Sequence, residues 1–219
     1  MPLFKISQDP HDRLGLTFTA FFTILQHTYL AWAQQVLGNR WDAEAAVQNA
    51  GSTIHRKWDT LLTHAHYEAL AFKIVHDCVC DFRPTPQRLA VGQQTRPTDQ
   101  ELLVRAIREL AQSEPLQADC LRLSIAQLSL DTIGRTLGTA ATSADLLLHR
   151  ARTTVQRLIT DSQTHSLQLE APSLDAILHI AAQDLNRLLA NHDVQAFNLR
   201  MAQRLATEND PAFTGRHKL

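Results

Sequence analysis

The chain has 219 residues and a formal net charge of −1 at pH 7, which excludes an overall basic field and requires any DNA contact to come from a local patch. Hydrophobic residues make up 44% of the sequence, β-branched runs are scarce, and we predict an all-α fold. The start lacks the features of a signal peptide, and no apolar stretch reaches membrane-spanning length. We therefore expect no membrane insertion. Three cysteines form no disulfide framework, which suits a reducing compartment, and we expect a cytoplasmic protein.

Three helices are predicted in the first third of the chain, after a loose lead-in. Apolar residues at helical spacing predict the first helix over 17–37, and Gly38 ends it. Asp42 is the predicted N-cap of a second helix that continues to Trp58. The third helix is predicted over 65–82, before a proline-containing break.

A segment rich in Pro, Gln and Gly divides the chain. Residues 84–97 contain few large apolar side chains, and this composition predicts a linker. The linker would join a first helical domain over 15–83 to a second over 98–160. Residues 161–208 would then form a C-terminal helical extension.

Three short helices in a helix-turn-helix arrangement are predicted after the linker. Pro115 suits the first turn of a helix, where its missing N–H costs nothing. Ser129 is the predicted N-cap of the second helix, and Gly138 its left-handed C-cap. Thr142 or Ser143 can cap the third helix, which gives the order typical of a helix-turn-helix.

This stretch resembles the promoter-binding domain of bacterial sigma factors of the extracytoplasmic-function (ECF) group. The run LDTIG at 130–134 stands at the family's Glu-Ile-Ala helix, and LG at 137–138 stands at its turn. The run HRAR at 149–152 matches the end of the recognition helix, without a gap in spacing. Asp145 and Leu147 occupy positions where the family usually has basic residues. The resemblance implies DNA contacts from Arg135, Ser143, His149, Arg150 and Arg152, with Arg157 a further retained cation.

The first domain carries two more motifs that are similar to the same family and follow in the family's order. The run DAEAAVQN at 42–49 matches the polymerase-docking helix, although Ala45 and Asn49 replace two of its acids. The run FKIVHD at 72–77 matches the promoter-melting helix. The resemblance implies polymerase contacts from Asp42, Glu44, Val47, Gln48 and Trp58, and promoter contacts from Lys73, His76 and Arg83.

The resemblance implies a sigma factor that binds core RNA polymerase and promoter DNA and directs promoter-specific transcription initiation. It implies no catalysis and no cofactor, and it adds an anti-sigma or other regulatory protein as a further partner. The main alternative is a sigma-like protein that has lost promoter recognition and acts as a protein-binding transcriptional regulator. Asp145 and Leu147 favour this alternative, because an acid facing DNA repels the phosphates.

The C-terminal extension is predicted to contain two helices. Pro172 and Ser173 begin the first, which has a broad apolar stripe, and the second spans residues 194–205. Together they are candidates for an antiparallel hairpin. The stripe must be buried, either on the rest of this chain or against a regulator or second subunit, and both interpretations remain open.

Other residues that often form sites are given structural interpretations. His64, His66 and His76 lie near Cys78 and Cys80, but two residues separated by one position on a helix point about 200° apart. No closing ligand pair has a zinc spacing, so no metal is predicted. The tryptophans Trp32, Trp41 and Trp58 are interpreted as core or interface packing residues rather than nucleobase stacks. With no catalytic constellation in the sequence, a helical enzyme or ligand-binding module is the weakest hypothesis.

Overall fold

A computed structural model describes residues 10–82, 98–163, 173–190 and 193–208, with the backbone alone at 10–16. These residues form helices and turns without a strand, which confirms the predicted all-α class. Within the same ranges, no helix is both long and apolar enough to cross a membrane. The described helices are α1 (Pro10–Leu37), α2 (Arg40–Arg56), α3 (Trp58–Leu62), α4 (Tyr67–Cys80), α5 (Asp99–Ser113), α6 (Pro115–Ile125), α7 (Leu130–Leu137), α8 (Ala141–Gln163), α9 (Leu174–Ala190) and α10 (Val194–Glu208).

Two helices, α1 and α2, start earlier than predicted. α1 begins at Pro10 rather than at residue 17, because proline is well suited to a first helical turn. The N-cap of α2 is Asn39 and not Asp42, since the Asn39 side chain accepts from the backbone N–H groups of Trp41 and Asp42. The prediction that Asp42 is the N-cap was therefore wrong, and its side chain is buried.

A helix that was predicted only as part of the second domain begins at a complete capping box. Thr98 Oγ1 accepts from the backbone N–H of Glu101 at 3.2 Å. Glu101 Oε2 in turn accepts from the backbone N–H of Thr98 at 2.7 Å. This reciprocal pair satisfies two N–H groups at the start of α5. Its inner face then carries Leu103 and Leu110, which are both buried.

The interior consists of two hydrophobic clusters, and each of them contains residues from both predicted domains. The first cluster centres on α1, α2 and α4, yet it includes Cys120, Leu123 and Ile133 from beyond the predicted linker. The second centres on α5, α6, α8 and α9, and it includes Ala31 from α1. The helices before and after the predicted linker therefore pack on each other. The linker itself lies outside the described residues.

The two C-terminal helices pack on different parts of the molecule. Apolar residues of α9 join the second cluster, where α9 contacts α5, α6 and α1. In contrast, Phe197 and Met201 of α10 join the first cluster, where α10 packs along α2. In the part of the chain that the structure describes, the predicted hairpin is thus two helices with separate partners. This arrangement positions α10 over the predicted polymerase-docking motif.

Candidate functional site

A tight turn joins α7 to α8. Ser129 Oγ accepts from the backbone N–H of Thr132 at 3.2 Å, and Gly138 is left-handed with φ of 70°, so both predicted caps are confirmed. The Thr139 N–H donates to the Gly134 carbonyl at 2.8 Å. A Cβ at Gly134 would lie 2.8 Å from the Thr139 carbonyl oxygen, which explains why a glycine stands there. The glycines at 134 and 138 therefore permit the tight turn that sets the direction of α8.

The surface of α8 separates a buried face from an exposed face. The buried face repeats at helical spacing and consists of Ala144, Ala151, Val155 and Ile159. These residues pack into the two hydrophobic clusters, with Leu147, Leu148 and Leu158 half-buried beside them. The exposed positions include the predicted DNA contacts Ser143, His149, Arg150 and Arg152, as well as Arg157.

The arginines of α8 fall into two groups. Arg150 and Arg157 are exposed, have no ion pair within the described ranges, and line one open groove with His149. They lie seven positions apart, or about 10 Å along the helix axis. In contrast, Arg152 pairs with Asp175 of α9 at 2.8 Å. The side chains that remain available to an anionic partner are therefore those at 150 and 157.

Arg135 of α7 forms ion pairs with two acids. Its guanidinium lies 3.3 Å from Asp131 on its own helix and 3.5 Å from Glu68 on α4. The pair with Glu68 links α7 to α4, and the side chain of Arg135 remains 57% exposed. Arg135 thus has a local structural partner, and contact with DNA would compete with that ion pair.

The predicted promoter-melting residues of α4 have different environments. Lys73 is exposed on α4 and lies 3.7 Å from Asp77. His76 packs over Trp32, with ring centroids 5.4 Å apart, and its Nε2 lies 3.7 Å from Asp119 Oδ2. Its ring therefore faces the junction between the two predicted domains. Arg83 lies outside the described residues.

The predicted polymerase-docking residues are mostly inside the fold. Glu44 is 4% exposed and Asp42 is 7% exposed. Glu44 Oε1 accepts from Arg40 Nε at 2.9 Å, and Glu44 Oε2 accepts from Arg200 Nη2 at 2.7 Å. Val47 and Trp58 are buried and Gln48 is half-buried, so neighbouring helices cover most of the predicted contact residues.

The tryptophans have different environments. Trp58 is buried beside Phe18, Phe21 and Tyr67, with the Phe21 centroid 4.7 Å away, which confirms its interpretation as a packing residue. Trp41 is instead 70% exposed on the first turn of α2. Trp41 is therefore not a core residue, and its packing at an interface stays a prediction.

A buried polar network that sequence reasoning missed joins α1, α4 and α6. Asp119 Oδ1 accepts from Trp32 Nε1 at 3.1 Å and from Arg122 Nη1 at 3.2 Å. The backbone carbonyl of Arg122 accepts from Gln35 Nε2 at 3.0 Å. Burial raises the pKa of Asp119, while Arg122 and His76 act in the opposite direction. The sequence signal that could have indicated this network is the spacing of Asp119 and Arg122, an acid and a base three positions apart within an apolar helix.

The cysteines are placed as structural thiols. Cys120 is buried and donates to the Ala144 carbonyl at 3.3 Å, and burial raises the pKa of its thiol to about 11. Burial also raises the thiol pKa of Cys78 and of Cys80, so neither is activated as a thiolate. Among the residues that the structure describes, no three His, Cys, Asp or Glu side chains converge as metal ligands.

Comparisons of the chain with protein-family models, with curated proteins and with solved structures gave no match. Function is therefore inferred from the residues and contacts described above. Two features are available for that inference: the exposed cations of α8 that follow a tight turn, and the buried acidic motif of α2 beneath α10.

Proposed function

We propose that this chain is an ECF-like sigma factor that binds core RNA polymerase and directs promoter-specific transcription initiation. Three motifs in the family's order support the proposal: the runs at 42–49, 72–77 and 130–152. The unit of α7, a left-handed glycine turn and α8 is consistent with a helix-turn-helix. In such a unit the second helix enters the major groove of DNA.

The observation that carries the proposal is a pair of arginines on the exposed face of α8 that form no ion pair with any described residue. Arginine binds phosphate through charge and through two parallel N–H donors. Within the described ranges, neither Arg150 nor Arg157 is neutralised by an acid of this chain, although Glu114 lies across the same groove. Phosphate contacts from these residues would orient α8 on a duplex, while residues nearer its N-terminus face the bases.

A binding titration of the full chain tests the DNA part of the proposal. The Arg150→Ala/Arg157→Ala variant should bind a labelled duplex more weakly than the unmodified chain. It should also lower the slope of log affinity against log salt by about two counterion units. The matched control is Arg105→Ala/Arg108→Ala, which removes two exposed arginines from α5. An equal loss in both variants would contradict specific use of α8.

A transcription assay with core polymerase tests the proposed role in promoter-specific initiation. The full chain and core polymerase should yield transcripts from some members of a broad promoter library, and the Arg150→Ala/Arg157→Ala variant should reduce them. Stable polymerase binding without a transcript from any promoter would refute the role in initiation. That result would favour the second candidate function, a protein-binding transcriptional regulator.

A specific observation favours this second candidate. Asp145 is exposed on α8, close to its N-terminal end, where a helix-turn-helix faces the bases. Its negative charge opposes the approach of phosphates, and the pairing of Arg152 with Asp175 removes one compensating cation. Under this alternative, α8 contributes little duplex affinity even at low salt, and polymerase or another protein is the principal partner.

A further inference from the structure

Helix α10 occupies a site on α2 that fits a helix. Phe197 of α10 is fully buried, and Met201, one turn later, is 5% exposed. Gly51 of α2 makes room for this contact, because a Cβ there would collide with Met201 Cε and with the ring of Phe22. We call this surface, formed by Glu44, Gly51 and Phe22, the α10-binding site.

A charge at the edge of the α10-binding site matches the charge of its occupant. Arg200 Nη2 lies 2.7 Å from Glu44 Oε2, and the Glu44 side chain is only 6% exposed. Phe197, Arg200 and Met201 follow the i, i+3, i+4 pattern with which an amphipathic helix presents one face to a groove. The site therefore recognises a helix with a basic residue between two apolar residues.

The acid in the α10-binding site belongs to the motif that the proposed function assigns to polymerase docking. Glu44 already has two guanidinium partners, Arg40 and Arg200, so little of its carboxylate is left for another molecule. A polymerase helix that approached this part of α2 would meet α10 first. The two cannot occupy the same surface at the same time.

We propose that α10 is an intramolecular ligand of the α2 docking surface, which a helix of core RNA polymerase must displace. This inference rests on the proposed function and adds its regulation. The apparent affinity for polymerase then equals the intrinsic affinity multiplied by the fraction of molecules in which α10 has left. Because α10 packs along α2 and exposes Leu199 and Val194 on its outer side, it is attached by one face. It can leave as a local opening while the other helices stay folded.

Charge reversal at Arg200 in the full chain tests this proposal. Arg200→Glu places an acid beside Glu44, so α10 should dissociate more often. Hydrogen exchange of the backbone amides in α10 should accelerate, and affinity for core polymerase should rise by about tenfold or more as the open fraction grows. Met201→Ala weakens the same contact without a change of charge, and it should shift both measurements in the same direction.

The matched control is Arg187→Glu, an equal charge change on α9 at an exposed residue that pairs with Asp184. It should leave α10 exchange and polymerase affinity unchanged. Misfolding lowers affinity, so it does not imitate the expected increase.

Three results would overturn the proposal, and they differ from one another. Suppose that the unmodified chain and the variants with faster α10 exchange bind polymerase equally well. That result would refute the role of α10 as an intramolecular ligand and leave the proposed function intact. Unchanged α10 exchange in both variants would show that these contacts do not hold the helix. No polymerase binding by any variant, despite a released α10, would remove the proposed function and this inference together.

Discussion

Removing one partner of the buried contact between Asp119 and Arg122 should strongly destabilise this fold. Asp119 accepts from Trp32 of α1 and from Arg122 of its own helix, and its side chain is 8% exposed. The test is Asp119→Leu, which keeps similar volume and removes the charge. The substitution leaves the Trp32 indole N–H without its acceptor and leaves the Arg122 guanidinium, which is 11% exposed, without its acid.

The expected loss follows from these two groups. A buried donor without an acceptor costs about 1–3 kcal/mol. Removing one member of a buried ion pair costs about 3–5 kcal/mol, because an uncompensated charge remains. Since Arg122 retains slight access to water, we expect a loss of about 3 kcal/mol in the free energy of unfolding. This is a large share of the roughly 5–15 kcal/mol that stabilises a typical domain.

A double-mutant cycle separates the charge from the packing. Arg122→Met alone should also cost about 3 kcal/mol, because the buried Asp119 carboxylate loses its arginine and keeps only the Trp32 N–H and the more distant His76 ring. Asp119→Leu/Arg122→Met should cost only about 2 kcal/mol, since only the Trp32 donor is left unsatisfied. The unfolding free energies come from urea titrations followed by circular dichroism, with the exposed pair Asp184 and Arg187 as a control of about 0–1 kcal/mol. A double variant that costs the sum of the two single variants would refute the reasoning.

Two further predictions concern the pH dependence of stability and the start of α7. Burial raises the pKa of Asp119 above its ordinary value of 3.8, so the folded chain takes up this proton at a higher pH than the unfolded chain does. As the pH falls through that window towards 3.8, the unmodified chain should gain stability relative to Asp119→Asn, and urea titrations at several pH values should detect the gain. Ser129→Ala should cost about 1 kcal/mol through loss of the N-cap of α7. Ser143→Ala, at an exposed position inside α8, should stay within about 0.5 kcal/mol, and a loss as large as that of Ser129→Ala would contradict the capping argument.

The parts of the fold that depend on neighbouring residues were predictable from the sequence. The caps at Ser129 and Gly138 were predicted correctly because each acts on backbone groups within four positions. The second N-cap was assigned to Asp42 because both Asn39 and Asp42 are good capping residues at adjacent turns. Only the extended backbone at Asn39 decides between them, and the sequence does not contain that information.

The exposure of the candidate site depended on distant residues and was not predictable in the same way. The resemblance implies polymerase contacts from the α2 motif, but Glu44 is paired with Arg200, which lies 156 positions later in the chain. Likewise, Asp119 receives its hydrogen bond from Trp32 of α1, across the predicted domain boundary. Both contacts are set by how helices pack, which short motifs do not specify.

The two surfaces of the proposed sigma factor differ in what they require before a partner binds. The exposed arginines of α8 are accessible with every described helix in place, so a duplex could bind without an opening step. Under the proposal, Glu44 of the α2 motif becomes available only after α10 leaves, and that step breaks the pair between Arg200 and Glu44 and exposes the buried Phe197 side chain. Polymerase binding would therefore carry a conformational cost that duplex binding does not. Substitutions in α10 should then change polymerase affinity selectively, whereas substitutions at Arg150 and Arg157 should act on the duplex.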